Sequence, residues 1–279
     1  RDAAGVAEAR QVIDQKLARI RALIAAHPDR LGLALSADDV QRLANEGRVA
    51  VILGFQNARA LGDDLGQIDV LYREGVRVFA FNHAGHNSWS DSSRPGEGPA
   101  AEHHGLSPIG RQAVGRLNDL GVLIDVSQLS TEALLQTLQL TRSPVAATHS
   151  NARALVHNGR NLSDAELDAI AANGGVVQVT PFNAYLVTPD TAARERIAGV
   201  RVGFGLPATF ASANDGYGTL GDRQQAFLDA LAPLVPRATV ANYVDHIDHI
   251  ANRIGWRHVG IGTDFDHGAG IVGFDSEAE

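Results

Sequence analysis

Two successive apolar runs that each end in polar side chains constrain the fold of this chain most. Residues 122–126 lead to Gln128, residues 144–148 lead to His149, and a helical pattern over residues 131–140 lies between the runs. Strand, crossover helix and second strand form a parallel βαβ unit. The carboxyl ends of such strands form the active-site face of an α/β barrel. We therefore expect Gln128 and His149 to face one pocket.

The same alternation of strand and helix patterns covers most of the chain. The predicted strands end near residues 55, 82, 127, 148, 180 and 263. The first of them, residues 49–55, is a continuous apolar run typical of a strand buried on both faces. Steady alternation predicts an α/β fold with a parallel sheet under helical cover. A closed barrel needs eight strands, two more than the six that the pattern shows.

The alternation breaks over residues 183–240, after the fifth predicted strand. This insertion contains a glycine-rich stretch from Gly203 to Gly221 and an amphipathic helical pattern near residues 223–234. A long loop that follows a strand of such a sheet lies on the active-site face. We therefore expect the insertion to act as a lid or as a contact for a partner.

Composition excludes several classes of protein. The chain has 279 residues, a net charge of −8 and no cysteine. The negative charge argues against a nucleic-acid partner, and the lack of cysteine excludes disulfides and thiolate chemistry. No apolar run approaches the roughly 20 residues of a transmembrane helix. The compartment stays open between cytoplasm, periplasm and secretion, and a homodimer is one assembly that the sequence allows.

Polar side chains follow every one of these strands except the fifth. They are Gln56 and Asn57, Asn82 and His83, Ser127 and Gln128, His149 and Ser150, and Asp264, Asp266 and His267. Imidazole and carboxylate groups bind Zn²⁺, which acidifies a bound water for hydrolysis. A single histidine at a strand end is more often a structural residue than a ligand, but the whole set predicts a metal site at this edge.

Two further segments have both a structural and a functional interpretation. His246 and His249 lie one turn apart in a helical pattern, and we expect the segment 245–249 to be a solvated helix face rather than a metal site. Arg160 lies in a turn before a predicted helix. It could serve that turn, or it could bind a substrate carboxylate through two parallel hydrogen bonds.

Many short blocks together resemble the renal (membrane) dipeptidase family. The resemblance runs from about residue 49 to the end of the chain, apart from the insertion. The blocks that carry it are residues 75–77, 82–83, 89–93, 106–110, 118–127, 148–153, 160–164, 171–177, 245–249 and 258–266. It implies a zinc-dependent (β/α)8 barrel of the amidohydrolase superfamily. Members of the family hydrolyse dipeptides, and some accept a D-residue at the second position.

The resemblance also assigns roles to single residues. It implies that His149 binds the metal and that Asp264 contacts the metal site and handles the proton of the attacking water. It implies that His83 polarises the scissile carbonyl or stabilises the oxyanion. It also implies that Arg160 holds the terminal carboxylate of the substrate, in preference to a purely structural role in its turn.

This chain departs from the family pattern at two metal ligands. Gln56 stands where the family has a bridging glutamate, and Gln128 stands where it has a second histidine. A glutamine amide is a neutral and weak ligand, so we expect one zinc ion and a weakened second site. The family's first strand, with its His-X-Asp ligands, does not appear. We therefore expect residues 1–279 to be one barrel domain, incomplete at both ends, that folds poorly alone.

Three functions agree with these residues. The first is a dipeptidase that uses a metal-activated water, with a site reduced to one metal. The second is a catalytically silent homologue that binds a small peptide-like ligand. The third is an amidohydrolase that acts on N-acyl amino acids or lactams, with a pocket reshaped by residues 183–240.

Overall fold

The computed structural model describes residues 3–95, 99–210, 213, 216–265, 269–276 and 278. The chain divides into two compact units. The first comprises Arg1–Thr148 and Ala165–Val177, and the second comprises His149–Asp164 and Gln178–Glu279. Among the described residues, no helix has the length and apolar character that a membrane span requires.

The first unit contains the strands and helices of the predicted alternation. Its helices are α1 (Ala3–Ala26), α2 (Ala37–Asn45), α3 (Gln67–Arg73), α4 (Pro108–Leu120), α5 (Thr131–Leu140) and nearly all of α6 (Asp164–Ala172). Its strands are β1 (Leu31–Leu33), β2 (Val49–Val51), β3 (Leu53–Gln56), β4 (Val76–Ala80), β5 (Leu123–Asp125), β6 (Ala146–Ala147) and the first half of β7 (Val176–Val179). A 3₁₀ turn, Ala58–Leu61, follows β3.

The second unit contains the rest of β7 and the elements after it. These are α7 (Asn183–Leu186), α8 (Thr191–Gly203), the 3₁₀ segment Tyr217–Arg223, α9 (Gln224–Leu231), α10 (Val240–Ile254), the 3₁₀ turn Trp256–His258 and β8 (Val259–Ile261).

Six strands form one sheet in the order β3-β4-β5-β6-β7-β8. The pairs from β3 to β7 are parallel, and within the second unit Gly262 N–H donates to the Val179 carbonyl at 2.8 Å. Sequence order equals spatial order because each helix returns the chain to the edge where the next strand begins. The six strands predicted from the apolar runs are therefore confirmed.

The predicted single strand over residues 49–55 is wrong in one respect. The structure breaks it at Ile52, and β2 pairs with β1, a strand that the sequence pattern did not show, while β3 pairs with β4. Val49 is 62% exposed and Ile52 is 49% exposed, so the run is not buried on both faces. An apolar run of this length can form one long strand or two short strands. The spacing of its apolar residues does not show where the chain breaks.

Helix boundaries follow from their capping residues. Ser107 accepts the Gly110 N–H at the start of α4, and Ser130 accepts the Ala133 N–H at the start of α5. Such side chains satisfy N–H groups that the first helical turn leaves without partners. Gly121 ends α4 with φ of 69°, a conformation that glycine adopts without steric cost. Helices α4 and α5, which connect successive strands of the sheet, therefore begin at defined residues.

The insertion builds a small apolar core of its own within the second unit. Ile197, Leu206, Leu220, Phe227 and Leu231 are buried together there. Helix α9 agrees with the predicted amphipathic helix near residues 223–234. Helix α8 was not predicted because its buried stripe includes a charged residue, Arg201, which interrupts the apolar spacing.

Candidate active site

Three of the candidate residues lie at one edge of the sheet in the first unit. Gln56 is the last residue of β3 and pairs in register with Ala80 at the end of β4, which pairs in turn with Asp125. His83 and Gln128 each follow one of these strand ends by three residues. Gln56 is exposed, His83 is half-buried and Gln128 is buried. Parallel pairing therefore brings these three chain segments to the same edge.

Unusual backbone conformations mark the strand ends. Asn57 has φ of 83°, Gln128 has φ of 70° and Asp264 has φ of 53°. Of the described non-glycine residues, His104 alone joins them at positive φ. Such conformations cost of order 1–3 kcal/mol, and they persist where surrounding contacts enforce them, often at functional sites.

The loop that begins at His83 is held by a buried carboxylate. Asp91 accepts hydrogen bonds from the N–H groups of Glu102 at 2.8 Å, Gly105 at 3.0 Å and His103 at 3.1 Å. Burial raises the pKa of Asp91, but the N–H groups of Gly105, Glu102 and His103 outweigh burial and keep that pKa below its ordinary value. An ionised Asp91 thus closes the long polar loop on itself.

Two buried asparagines order the residues on either side of His83. Asn87 donates from Nδ2 to the Phe81 carbonyl at 2.8 Å. Asn82 donates to the Ser90 carbonyl at 3.1 Å and accepts the Ser90 hydroxyl. Because buried amides that satisfy both of their polar groups resist rotation, they hold the backbone around His83 in one conformation.

Asp125 is a positioning residue that the sequence analysis did not single out. It is 4% exposed and accepts the Ser127 N–H at 2.9 Å, the Thr148 N–H at 3.1 Å and the Thr148 hydroxyl at 2.6 Å. It therefore orders the backbone directly before Gln128 and directly before His149. A carboxylate inside the apolar run 122–126 was the signal that could have identified it.

In the second unit, Arg160 lies close to His149. Its Nη2 donates to the His149 carbonyl at 2.9 Å, and its guanidinium carbon lies 5.2 Å from the centroid of the Tyr185 ring. The Arg160 side chain is buried, so its charge is strongly desolvated. Both the hydrogen bond and the cation–π contact fix its position beside His149.

Thr180, directly after β7, connects the segments that carry His149 and Asp264. Asn151 donates to the Thr180 carbonyl at 3.0 Å and accepts the Thr180 N–H at 2.9 Å. The Thr180 hydroxyl donates to the Thr263 carbonyl at 3.2 Å. Since Asn151 follows His149 by two residues and Thr263 precedes Asp264, Thr180 joins the chain segments that carry His149 and Asp264 within the second unit.

The expectation of a solvated face over residues 245–249 is wrong for His246. This side chain is 1% exposed, and its Nδ1 accepts the Ala152 N–H at 3.0 Å. The cause is a buried stripe on α10 formed by Tyr243, His246 and Ile250 at helical spacing. His249 pairs instead with Asp164, with its Nε2 2.9 Å from a carboxylate oxygen.

The pKa of His246 reflects this burial. Desolvation, and to a smaller extent the neighbouring His249, lowers the pKa of His246 to about 4. The Ala152 N–H requires an acceptor at Nδ1, so the imidazole is neutral. His246 thus acts as a structural residue that connects α10 to the segment after His149.

The candidate residues differ in how well their side chains bind metal ions. His149 and Asp264 are residue types that bind zinc, whereas Gln56 and Gln128 offer neutral amide oxygens. Among the described residues, no group of three or more His, Cys, Asp or Glu side chains is placed to hold a metal ion. Asp266 and His267, which follow the last strand in sequence, lie outside the described residues.

Solved structures share the fold. The probable dipeptidase PvdM from Pseudomonas aeruginosa superposes with a TM-score of 0.86 at 40% identity, covering 97% of this chain and 71% of that one. A metallo peptidase from Rhodobacter sphaeroides, liganded with a phosphinate mimic of the dipeptide L-Ala-D-Ala, gives a TM-score of 0.68 at 24% identity, covering 91% and 60%. The expected α/β fold of the TIM-barrel type is confirmed.

Two named dipeptidases are similar to this chain in sequence. Dipeptidase tcpJ of Claviceps purpurea (strain 20.1) is 31% identical over 252 residues, which are 90% of this chain and 48% of that protein. Dipeptidase verJ of Clonostachys rogersoniana is 29% identical over 252 residues, 90% of this chain and 52% of that protein. The chain thus spans about half the length of these relatives.

The family resemblance of the sequence blocks is confirmed over nearly the whole chain. Residues 2–276 match the sequence model of the membrane dipeptidase family, which is peptidase family M19. The match includes all six candidate residues, Gln56, His83, Gln128, His149, Arg160 and Asp264. The chain therefore belongs to the membrane dipeptidase family, peptidase family M19.

Proposed function

We propose that this protein hydrolyses the peptide bond of dipeptides with a metal-activated water, at a site that holds one zinc ion. The observation that supports the proposal is a set of hydrogen bonds: Arg160 donates to the His149 carbonyl, and Thr180 contacts Asn151 and Thr263, which lie next to His149 and Asp264 in the chain. Family membership supports it, as do relatives whose names describe them as dipeptidases.

His149 and Asp264 would be the protein ligands of this zinc ion. A bound zinc ion lowers the pKa of its water to about 7, which supplies a nucleophile at neutral pH. Catalytic zinc sites commonly use three protein ligands, so the proposal requires one donor in addition to these two. The neutral amides of Gln56 and Gln128 argue against a second tightly bound ion.

The side chains of this chain would carry the remaining chemistry. Asp264 accepts the proton of the attacking water and delivers it to the leaving nitrogen as the C–N bond breaks. His83 donates a hydrogen bond to the carbonyl oxygen, on which negative charge develops. Arg160 holds the terminal carboxylate of the dipeptide, an interaction that its desolvated guanidinium strengthens.

Metal analysis and turnover together test this proposal. The protein is stripped with a chelator, reloaded with Zn²⁺ or Mn²⁺, and examined by elemental analysis and with a panel of dipeptides that includes D-residues at the second position. We expect about one metal ion per chain and hydrolysis that depends on it. A reloaded protein that binds no metal and cleaves no dipeptide refutes the proposal.

A second candidate function is the binding of a peptide-like ligand without turnover. The two neutral amides at positions 56 and 128 favour it. It predicts thermal stabilisation by dipeptides without hydrolysis. The double variant Gln56→Glu and Gln128→His should then bind a metal that the parent does not bind, whereas the exposed control Gln11→Glu should not. Hydrolysis by the unmodified protein excludes this candidate.

A further inference from the structure

A pocket of 270 Å³ lies within the second unit, between the insertion and the segment after His149. Its walls are mainly apolar, with Val156, Phe182, Val187, Phe210, Leu228 and Leu231 among the lining residues. His149, Arg160 and Asp264 are not among the described residues that line it. The pocket is therefore a feature that the proposed hydrolytic chemistry does not use.

The size of the pocket limits what can occupy it. An apolar cavity of about 150 Å³ binds benzene. A volume of 270 Å³ therefore accommodates a bicyclic aromatic group or an alkyl chain of medium length, and it exceeds what a small side chain requires. Two of its lining residues, Phe182 and Phe210, offer aromatic contacts to such a group.

The polar residues His157, Asn158, Asn183 and Thr188 also line the pocket, and Arg194 supplies a positive charge. Arg194 lines the pocket, is exposed, and has its guanidinium carbon 5.0 Å from the centroid of the Phe210 ring. Within the described part of the chain, Arg194 has no ion pair with a carboxylate. Arg201 lies at 5.2 Å from the same ring, but it is buried and donates to the carbonyls of Pro207 and Ala213.

We propose that this pocket binds a ligand that carries a large acyl or aryl group and a carboxylate. The apolar group fills the cavity, and the carboxylate contacts Arg194 at its rim. Apolar walls with a single charged group at the edge are the usual composition of small-molecule sites, where burial supplies affinity and the charge fixes orientation. The proposal goes beyond dipeptide hydrolysis, because binding here requires neither metal nor turnover.

Calorimetry with three simple probes tests the proposed ligand class on the full chain. The probes are 2-naphthylacetate, its neutral counterpart 2-naphthylacetamide, and acetate. We expect 2-naphthylacetate to bind about fivefold more tightly than the amide, because a partly exposed charge pair contributes up to about 1 kcal/mol. Acetate should not bind measurably, since it lacks the group that fills the cavity.

Two pairs of variants test the location of the site. Arg194→Gln should weaken 2-naphthylacetate about fivefold without changing the amide, whereas Arg196→Gln, an exposed control on the same helix, should change neither. Ala184→Trp fills the pocket and should abolish binding of both naphthyl probes, whereas Ala192→Trp, outside the pocket, should not. Circular dichroism establishes that each variant is folded, and Val235→Trp replaces Ala184→Trp if the latter does not fold.

Three outcomes overturn the proposal. The first is the lack of 2-naphthylacetate binding to the unmodified protein. The second is unchanged binding in a folded pocket-filling variant. The third is equal weakening by Arg194→Gln and Arg196→Gln. None of these measurements involves hydrolysis, so a failure here is distinct from a failure of the proposed dipeptidase activity.

Discussion

At the scale of single residues, the chemical type of the side chain at each strand end determines which ligands it can bind. Gln56 occupies the last position of β3, and Gln128 holds a left-handed backbone conformation after β5. Glutamine and glutamate have nearly the same shape, so an amide at position 56 alters the charge of the site far more than its geometry. This loss of charge is the reason why the proposed function has one metal ion rather than two.

Replacement of Arg160 by lysine should weaken substrate binding more than it slows the chemical step. Lysine keeps the charge but loses the planar group that binds a carboxylate through two hydrogen bonds. We expect KM for dipeptides to rise about tenfold or more, with a smaller change in kcat. Steady-state kinetics measure this, with the surface variant Arg142→Lys as the control. An equal KM for Arg160→Lys and the parent would contradict the assigned role.

The buried His246 should make the protein less stable in mild acid. Its pKa is lowered from 6.5 in the unfolded chain to about 4 in the folded one, so between these values only the unfolded state binds the proton. The free energy of unfolding should therefore fall as pH falls from about 6.5 towards about 4, by roughly 3 kcal/mol in total.

Denaturant unfolding at several pH values measures this contribution. The variant His246→Gln should lose the part of the pH dependence that His246 supplies, while the exposed control His27→Gln should keep it. Parallel pH profiles for the parent and His246→Gln would contradict the prediction.

At the scale of elements, close backbone contacts explain why certain positions are glycine. A Cβ atom at Gly110 in α4 would lie 2.1 Å from the Trp89 carbonyl oxygen, whereas a Cβ at Gly115 of the same helix would meet nothing within 4 Å. Trp89 belongs to an aromatic cluster with Phe79 and Phe81, at centroid separations of 6.1 Å and 6.5 Å. Helix α4 thus requires glycine where it contacts this cluster.

Two alanine variants on α4 should have opposite effects. Gly110→Ala should destabilise the protein by about 1–3 kcal/mol, because the helix or the Trp89 backbone must move. Gly115→Ala should stabilise it by about 0.5–1 kcal/mol, because alanine loses less entropy than glycine in a helix. Urea unfolding of both variants measures the difference. Equal stability of the two would show that the close approach at Gly110 has no energetic consequence.

At the scale of the whole molecule, both compact units contain buried apolar side chains, and the insertion has an apolar cluster of its own. Phe227 is the largest side chain in that cluster and is fully buried. It lies 5.3 Å from the Phe204 ring, at the centre of the packing between α8 and α9. These contacts give the insertion a defined structure although its sequence lacks the β–α alternation.

Phe227→Ala should therefore destabilise the insertion strongly. Loss of a buried phenylalanine costs about 3–5 kcal/mol, through lost burial and the cavity left behind. Hydrogen exchange should show faster exchange of the amides in α8 and α9. Phe227→Leu is the conservative control, with a cost below about 1.5 kcal/mol. Unchanged protection of α8 in Phe227→Ala would show that the cluster does not support the helix.

The sequence by itself determined the order of the elements and the chemistry at the strand ends. Apolar runs marked the six strands of the sheet, because the spacing of apolar residues depends on residues close in the chain. The family blocks added roles for His83, His149, Arg160 and Asp264, which are still predictions. They also identified the changed positions, Gln56 and Gln128, without any coordinates.

Only the tertiary structure decided which side chains are buried and what they contact. The break at Ile52 depends on pairing with a strand 18 residues earlier, the burial of His246 depends on Ala152, and Arg201 is buried by carbonyls of its own insertion. The cavity beside Arg194 likewise arises from segments far apart in the chain. The reason is physical: backbone propensity and capping act over a few residues, whereas burial depends on neighbours that folding brings together.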